Sequence, residues 1–406
     1  MSLIREIPPT AGWPIKTRSL IAPLFKKLPK GLLEEDFRKY LNVPAALLTY
    51  SGTAAFYLIL ESIKKLSNKK TVIISTFVCP LIPLAIKRAG LKTILCDINQ
   101  DNFDFDLNKL QEICAKNKDI LAILTVHLAG IPLELENIKK ITKENNIFII
   151  EDCAQSLGAE YQKKKTGTIG EFSFFSLGRG KGLTIYEGGL AVTSVPEHGP
   201  LLENTAKEIM PTNIFSEYLK IMELFAYSLF YQPALFWFVF RLPQVYWRMR
   251  NNPIKALGEY FKVNFPIHKV SAFREYIGHL NFTYLDKEIA KQREKVSFYL
   301  EGLKDLPAIK PIRELPHSKA SYPYLTIIFA TTEKRNSALN IFKNSGLGIS
   351  QVYLLAITDY AYLNEIVPEA DCAHARMFAE KTITLSTNTF LNNADLSNII
   401  QKLKQL

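Results

Sequence analysis

The stretch 147–190 constrains the fold more than any other part of this 406-residue chain. It opens with the apolar run 147–150, which predicts a buried parallel strand because polar residues bound it. Asp152 follows the carboxyl end of that run, where open α/β sheets bind their ligands. A second run, 171–176, is rich in aromatic residues and serine and also predicts a strand. We therefore expect a ligand site at this edge of a predicted sheet.

A glycine-rich loop, Gly-Arg-Gly-Lys-Gly at 178–182, follows the second run. Glycine lets such a loop bring its backbone close to a bound group. Lys181 can form a Schiff base with a carbonyl cofactor, and the Asp152 carboxylate can hold the proton of a pyridinium ring. Ser176, five residues before the lysine, can bind a phosphate. A P-loop is excluded, because glycine at 175 and serine or threonine at 182 are both missing.

These motifs resemble those of the DegT/DnrJ/EryC1/StrS family of pyridoxal-phosphate-dependent sugar aminotransferases. That family has E-D-A-A-Q, then a serine and a lysine five residues apart, then G-E-G-G. This chain has Glu-Asp-Cys-Ala-Gln at 151–155, then Ser176 and Lys181, then Glu-Gly-Gly at 187–189. Tyr186 replaces the first glycine of the last motif, while the spacings match throughout.

The resemblance implies an α/β fold of the aspartate-aminotransferase type, fold type I, with a large mixed-sheet domain and a smaller C-terminal α+β domain. It implies a homodimer that binds pyridoxal 5′-phosphate. The implied reaction moves an amino group from an amino acid, with glutamate expected, to a nucleotide-linked keto-sugar for surface polysaccharide or modified-sugar biosynthesis. Lys181 would bind the cofactor covalently and then act as general base, and Asp152 would keep the ring nitrogen protonated.

Further cofactor contacts follow from the same resemblance. The segment 48–55 predicts a helix start whose free N–H groups suit a phosphate, and the family has a similar S-G-T-A-A motif there. Gly52, Thr53 and Ser176 would then bind the cofactor phosphate. Gln155 would contact the ring or its phenolic oxygen.

The residue that stacks on the cofactor ring is less clearly defined. The family has an aromatic residue near the position of Cys79, and Phe77 lies two residues earlier. Either residue is expected at the ring, and plain packing of Cys79 is the alternative. His127, in a segment similar to the family's H-L-x-G, either approaches the site or serves as a hydrogen-bonded structural histidine. Asn264 resembles the asparagine of an N-Y-R-M segment, which implies contact with the cofactor phosphate of the neighbouring subunit.

The pattern of predicted elements divides the chain into an arm (1–45), a large cofactor-binding domain (46–280) and a small C-terminal domain (281–406). Strands predicted at 71–75 and 120–126 alternate with helices, which is typical of a parallel sheet. One helical stretch is predicted from 269 to 303.

The large domain contains an apolar insertion at about 200–262. No charge falls between Glu223 and Arg241, yet a helix of that length reaches only about 25 Å, short of the roughly 30 Å core of a bilayer. Pro233 would also break it, so two short apolar helices bent at Gln232-Pro233 are predicted. They either pack on the body or dimer partner, or contact an anionic membrane through 221–250, where aromatic residues adjoin arginines.

Composition excludes several classes of protein. With 48% hydrophobic and 22% charged residues the chain is globular. Its five scattered cysteines predict reduced thiols in a cytoplasm and no metal site. No apolar signal region opens the chain and no nucleic-acid motif is found. The net charge of +11 fits a solvated basic surface, attraction to sugar nucleotides or attraction to a membrane face.

Two alternative functions remain beside sugar amination. Dehydratases of the same family depend on the same cofactor but carry histidine at the lysine position, so Lys181 argues against that reaction. A non-catalytic, membrane-associated scaffold or regulator on this fold would not need Asp152, Lys181 and Ser176 together. No motif indicates which sugar, which nucleotide or which carbon is involved.

Overall fold

The computed structural model describes residues 5–406. Its α-helices are α1 (Thr17–Ile21), α2 (Leu32–Leu41), α3 (Gly52–Ile63), α4 (Leu81–Arg88), α5 (Leu107–Lys116), α6 (Glu136–Asn145), α7 (Gly199–Ile209), α8 (Ile214–Phe230), α9 (Pro233–Val239), α10 (Arg241–Met249), α11 (Pro253–Ala256), α12 (Ala272–Phe282), α13 (Leu285–Leu303), α14 (Thr332–Phe342), α15 (Ala373–Lys381) and α16 (Asn393–Leu403). Its strands are β1 (Ala45–Thr49), β2 (Thr71–Ser75), β3 (Lys92–Cys96), β4 (Ile120–Val126), β5 (Phe148–Asp152), β6 (Glu160–Tyr161), β7 (Lys164–Lys165), β8 (Phe172–Ser176), β9 (Gly189–Thr193), β10 (Ile309–Pro311), β11 (Ser318–Lys319), β12 (Tyr324–Phe329) and β13 (Thr382–Ser386).

A seven-stranded sheet, in the order β1-β9-β8-β5-β4-β2-β3, forms the centre of the large domain. Strands β3, β2, β4, β5 and β8 pair in parallel, while β9 pairs antiparallel with both β8 and β1. Every residue of β2, β4 and β9 is buried, as expected of strands covered on both faces. The mixed sheet predicted from the sequence is confirmed, and β2 and β4 have the predicted bounds.

A smaller antiparallel sheet, β10-β12-β13, lies in the C-terminal part of the chain with α13 to α16 around it. One core of buried side chains runs from the large sheet into this layer, and Phe77 and Phe378 meet within it at 6.1 Å between ring centroids. The predicted division near residue 280 falls within α12, and the domain boundary stays a prediction.

The single helix predicted over 269–303 is wrong, because α12 ends at Phe282 and α13 begins at Leu285. Two side chains bind the last carbonyls of α12. Asn281 Nδ2 donates to the Ile277 carbonyl at 3.0 Å, and Thr283 Oγ1 donates to the Leu280 carbonyl at 3.0 Å. Such local side-chain bonds favour a helix end over its continuation.

Helices α8 to α11 form one helical segment (214–256) within the predicted apolar insertion. The predicted break at Gln232-Pro233 is confirmed, because α8 ends at Phe230 and α9 begins at Pro233. Helices α10 and α11 were not predicted. Within residues 5–406, no helix is long and apolar enough to cross a membrane. The inner face of α8 packs in a core cluster with α1 and α12.

The N-terminal arm (5–15) is held by the C-terminal part of the chain. The amide of Ile7 donates to the Gly346 carbonyl and that of Ala11 donates to the Pro323 carbonyl, each at 2.9 Å. The Asn388 side chain donates to the Thr10 carbonyl at 2.7 Å. Residues 5–15 of the predicted arm (1–45) are therefore a fixed part of the body, while residues 1–4 of that arm lie outside the described residues.

Candidate active site

A cavity of about 380 Å³ lies where β4, β5 and β8 end and α3 begins. Seven of the nine predicted site residues line it: Gly52, Thr53, Cys79, Asp152, Gln155, Ser176 and Lys181. The chain thus brings together at one edge of the sheet side chains that lie up to 129 residues apart (181 − 52). This is the edge at which parallel sheets bind their ligands.

The start of α3 forms an anion site at one end of the cavity. Ser51 caps the helix by accepting the Ala54 amide at 3.1 Å, so the first-turn amides of Gly52 and Thr53 point ahead of the helix. A Cβ on Gly52 would lie 3.1 Å from the Ser176 Cβ, so glycine allows the helix to approach that serine closely. Free amides, the helix dipole and a hydroxyl together suit a phosphate.

Asp152 is the last residue of β5 and is buried. Its Oδ1 accepts the Ala154 amide at 2.9 Å. Burial raises the pKa of Asp152 to about 6, although the Ala154 amide and the charge of Lys181 act against that rise. A buried carboxylate that faces a lysine is suited to pair with a protonated ring nitrogen.

Lys181 lies in the loop that follows β8. Its amide donates to the Gly178 carbonyl at 3.2 Å, and Gly180 has a left-handed φ of +75° that suits glycine. Thr10 Oγ1 donates to the Gly180 carbonyl at 2.6 Å, so the N-terminal arm fixes the loop. Burial lowers the pKa of Lys181, while Asp152 and Cys79 oppose that change. A lowered pKa leaves more of the neutral amine, which is the nucleophilic form.

Gln155 is oriented by two donors. Its Oε1 accepts the Ala129 amide at 2.9 Å and the Tyr324 hydroxyl at 2.6 Å. Because the carbonyl end has both bonds, the Nε2 end is the one left to donate toward the cavity. Gln155 can therefore donate to an oxygen of a bound group, as predicted for a ring's phenolic oxygen.

The two candidates for ring contact lie in different environments. Cys79 lines the cavity, and burial raises the pKa of its thiol to about 12. Phe77 lies outside the lining residues and packs against Phe103, Phe378 and Tyr353, with 5.2 Å between its ring centroid and that of Tyr353. The expectation that Phe77 contacts a bound ring is therefore corrected: its side chain fills the core between the two sheets.

Sequence reasoning missed Tyr353 and Phe261, which also line the cavity. Tyr353 comes from the C-terminal part of the chain, where Glu259 accepts the Leu354 amide at 3.2 Å and holds that segment in place. No local motif marks either aromatic residue, because contacts between distant segments bring them to the cavity.

His127 is fully buried, and both its ring nitrogens are hydrogen-bonded. Nδ1 accepts the Leu133 amide at 3.1 Å, so Nε2 carries the proton and donates to Glu151 at 2.8 Å. Burial would raise the pKa of Glu151, but His127 and the amides of Gly170 and Gly167 outweigh it and lower that pKa. His127, Glu151 and Cys153 come within 4.8 Å of one another, yet these bonds explain the cluster as a structural one.

Asn264, the predicted contact to a neighbouring subunit, is exposed and does not line the cavity of its own chain. Arg88 fixes the loop beside it, since its guanidinium lies 4.4 Å from the Phe265 ring centroid and donates to the Phe265 carbonyl. An exposed side chain on a fixed loop is what a role in another subunit requires, and that role stays a prediction.

The chain is similar to known proteins in both sequence and fold. The model of the DegT/DnrJ/EryC1/StrS aminotransferase family matches residues 30–205 and 253–404. GDP-perosamine synthase of Escherichia coli O157:H7 is 35% identical over 162 residues, which span 40% of this chain and 43% of that relative. The UDP-4-amino-4,6-dideoxy-N-acetyl-beta-L-altrosamine transaminase of Helicobacter pylori (strain ATCC 700392 / 26695) is 25% identical over 388 residues, 92% of this chain and 90% of the relative.

Among solved structures, Helicobacter pylori PseC, an aminotransferase involved in the biosynthesis of pseudoaminic acid, superposes with a TM-score of 0.77. The alignment covers 99% of each chain at 21% identity. This likeness confirms the predicted aspartate-aminotransferase-type fold. The family match omits residues 206–252, which include α8 to α10.

Proposed function

We propose a function from the premise that this chain belongs to the DegT/DnrJ/EryC1/StrS aminotransferase family. The chain moves an amino group from an amino acid to a nucleotide-linked keto-sugar, with pyridoxal 5′-phosphate as cofactor. One observation carries the proposal: Lys181, Asp152 and Ser176 line one cavity with the start of α3. Glutamate as the donor, and surface polysaccharide or modified-sugar biosynthesis as the pathway, belong to the same proposal.

The residues present fit this cofactor. Its phosphate suits the amides of Gly52 and Thr53 with the Ser176 hydroxyl, and its ring nitrogen suits Asp152. When bound, the cofactor supplies an electrophilic carbonyl carbon and an electron-withdrawing ring. The buried carboxylate of Asp152 holds a proton at the ring nitrogen, because a carboxylate favours a cation beside it.

Lys181 has two tasks in this proposal. Its Nζ first holds the cofactor by a covalent bond, for which the lowered pKa favours the neutral amine. When it is not bonded to the cofactor, Nζ would act as general base, taking up the proton that the substrate carbon loses and giving it back to complete the proton shift. The fixed loop keeps Nζ within the cavity for both tasks.

A screen of keto-sugar nucleotides with glutamate tests the proposed reaction. Product mass identifies amination, and a product that has lost water instead would indicate the dehydratase alternative. Borohydride reduction of the holoenzyme followed by peptide mass mapping should find the cofactor on Lys181, and Lys181→Ala is the control. A label on another lysine, or no amination of any keto-sugar nucleotide, would overturn the proposal. A folded protein that binds no cofactor would favour the scaffold.

A homodimer in which Asn264 serves the neighbouring site is part of the proposal. Asn264 is exposed on a loop that Arg88 holds, which supports the role. Mixing inactive Lys181→Ala subunits with inactive Asn264→Ala subunits should restore activity, since one site of each hybrid keeps both residues. No recovery, with subunit exchange confirmed by mass, would exclude a role in trans.

Peripheral contact with an anionic membrane face is the proposed role of the outer surface of the helical segment. Exposed apolar side chains on α8 repeat at helical spacing and form one stripe: Phe215, Tyr218, Leu219, Met222 and Leu229. On α9 and α10, Phe238, Val239, Leu242, Val245 and Met249 are also exposed. Arg248 and Arg250 lie exposed at the end of α10, which suits anionic headgroups.

Vesicle flotation tests this contact. The protein should float with phosphatidylglycerol vesicles, and less so at high salt, because salt screens the arginines. Phe238→Asp should reduce flotation, while Phe298→Asp on α13 is the matched control, since the two rings are 45% and 38% exposed. Equal flotation of both variants, or no flotation of the intact protein, would overturn the membrane role. Dissociation of a dimer by Phe238→Asp alone would instead assign the stripe to a second copy.

A further inference from the structure

A second cavity, of about 470 Å³, adjoins the catalytic one. Three parts of the chain line it: the N-terminal arm, the loop that carries Lys181 and the helical segment. We name it the aromatic chamber after its six aromatic lining residues, Tyr186, Tyr227, Phe230, Tyr231, Phe236 and Phe240. Its volume is in the usual range for small-molecule sites, roughly 300–1,000 Å³.

Aromatic residues are the largest group in the lining of the chamber, and Thr10, Arg179 and Glu223 add polar side chains to it. Tyr227 and Tyr231 stack at 4.5 Å between centroids, and Phe236 stacks on Phe240 at 4.9 Å. The two tyrosine hydroxyls are already bonded, since Tyr227 donates to the Trp13 carbonyl at 3.1 Å and Tyr231 accepts from Asn388 at 3.2 Å. A flat, largely apolar group is the kind of ligand such walls suit.

Arg179 and Tyr186 line both cavities and so mark the passage between them. The exposed Arg179 guanidinium lies over the Tyr186 ring, 5.3 Å from its centroid. Arg179 is two residues from Lys181, which limits their Cα atoms to about 7 Å apart. A cation at that place suits a phosphate group on a ligand whose reacting end lies at Lys181.

The backbone of Tyr186 is strained. Its φ is +73°, in the left-handed region that favours glycine, and it stands where the resembling family has glycine. An aromatic ring retained at a position whose backbone suits glycine points to a use for that ring.

The helical segment is tied to the catalytic loop, so the chamber is a fixed part of the site. Lys220 on α8 pairs with Glu187 at 2.9 Å. Arg274 on α12 is fully buried, donates to Glu217 on α8 through Nε at 2.9 Å and also donates to the Glu187 carbonyl. Glu187 lines the catalytic cavity, so these bonds join both walls.

We infer that the aromatic chamber holds the nucleobase of the acceptor, with Arg179 meeting the diphosphate between base and sugar. The inference rests on the proposed function, because the keto-sugar occupies the catalytic cavity. The helices that wall the chamber lie within 206–252, which the family match omits, so this base site belongs to this chain's own segment. Stacking on aromatic rings gives affinity for any base, so the polar residues at the edge of the chamber would discriminate between bases.

Binding to the holoenzyme, measured by calorimetry, tests the inference with UDP, GDP, CDP, dTDP, pyrophosphate and farnesyl diphosphate as probes. Ala226→Trp fills the chamber from its exposed wall, and Ala234→Trp, an exposed alanine on α9 outside the lining, is the matched control. Ala226→Trp should weaken the tightest nucleoside diphosphate by about tenfold or more and leave pyrophosphate unchanged. Arg179→Gln should weaken both, and Ala234→Trp neither.

Tyr186→Gly is a second variant, because glycine suits the backbone there and only the ring is lost. It should also weaken nucleoside diphosphate binding. The inference is overturned if no nucleoside diphosphate binds, if Ala226→Trp and Tyr186→Gly bind like the wild type, or if farnesyl diphosphate alone binds. An unchanged KM for an accepted sugar nucleotide in Ala226→Trp would refute the base site and leave amino transfer intact. If the nucleoside diphosphates bind as predicted but no keto-sugar nucleotide is aminated, the base site is supported and the proposed amino transfer is refuted.

Discussion

The loop around Lys181 and the helical segment meet at Glu187 but are built in opposite ways. Around Lys181, buried polar groups have partners nearby, as Asp152 has the Ala154 amide and Gln155 has the Ala129 amide. On α8 to α10, apolar side chains cover the outer surface and face solvent. The polar contacts of the first region thus lie within the chain, while the second region exposes its apolar side chains. A region of the first kind can be recognised from its own residues, and one of the second kind cannot.

The largest difference between the regions should appear when a lysine is removed from each. Lys181→Ala should lower turnover by about 10⁴-fold or more, because it removes both the covalent anchor and the general base. Lys220→Met should lower it by less than about tenfold, since that lysine acts through its ion pairs with Glu187 and Glu223. Steady-state kinetics measures both. Comparable losses would show that the helical segment takes part in the chemistry.

The next largest effect is expected at the ion pair between Arg274 and Glu217, which joins α12 to α8. Arg274→Met should lower the free energy of unfolding by about 3–5 kcal/mol, because it leaves the Glu217 carboxylate buried without its partner. Adding Glu217→Leu should recover part of that loss, since both charges are then gone. Urea unfolding measures the two variants. If the double variant is less stable than the single one, the pair is not what joins α8 to α12.

Two leucines on α8 separate its inner face from its outer face. Leu224 is 0% exposed and Leu229 is 54% exposed. Leu224→Ala should cost about 2–5 kcal/mol of stability, while Leu229→Ala should change it by less than about 0.5 kcal/mol. Thermal unfolding of the lipid-free protein provides the measurement. A large loss at Leu229 in dilute protein that vanishes on concentration would place a second copy on the stripe.

The smallest effect concerns Asp152 and runs against its role in catalysis. Its pKa is raised from 3.8 to about 6 in the fold, so the ionised side chain opposes folding at neutral pH. Asp152→Asn should therefore raise the free energy of unfolding of the cofactor-free protein at pH 7 by about 1–3 kcal/mol, while turnover falls. The gain should shrink as pH falls from 6 to 4, because the wild-type side chain then takes up its proton. A gain that is constant with pH would contradict the raised pKa.

The sequence predicted those parts of the molecule that local residues determine. Strands β2 and β4 are continuous apolar runs with clear ends, and their bounds were right. Seven of the nine predicted site residues line the cavity, because strand ends and helix starts that carry motifs meet at one sheet edge. Their roles at the cofactor stay predictions.

The missed features depend on contacts between distant segments. Phe77 is an aromatic beside a motif, yet its side chain turns to Phe103 and Phe378 rather than to the cavity. Tyr353 lines the cavity beside Leu354, whose amide donates to Glu259, 95 residues before Leu354. The buried Arg274 gave no signal, because its partner Glu217 lies 57 residues away on another helix. Contacts between residues so far apart in sequence cannot be predicted from periodicity or from a local motif.

The hydrogen bonds from Asn388 to the N-terminal arm also affect the order of folding during synthesis. Asn388 binds the carbonyls of Thr10 and Gly12, and Thr10 in turn binds Gly180 in the lysine loop. The first of these contacts spans 378 residues, so it cannot form until residue 388 has left the ribosome. A chain released too early, or cut short before residue 388, would keep the motif lysine but lack the brace behind its loop. The emergence of residue 388 is thus the step after which the N-terminal arm can brace the loop that carries Lys181.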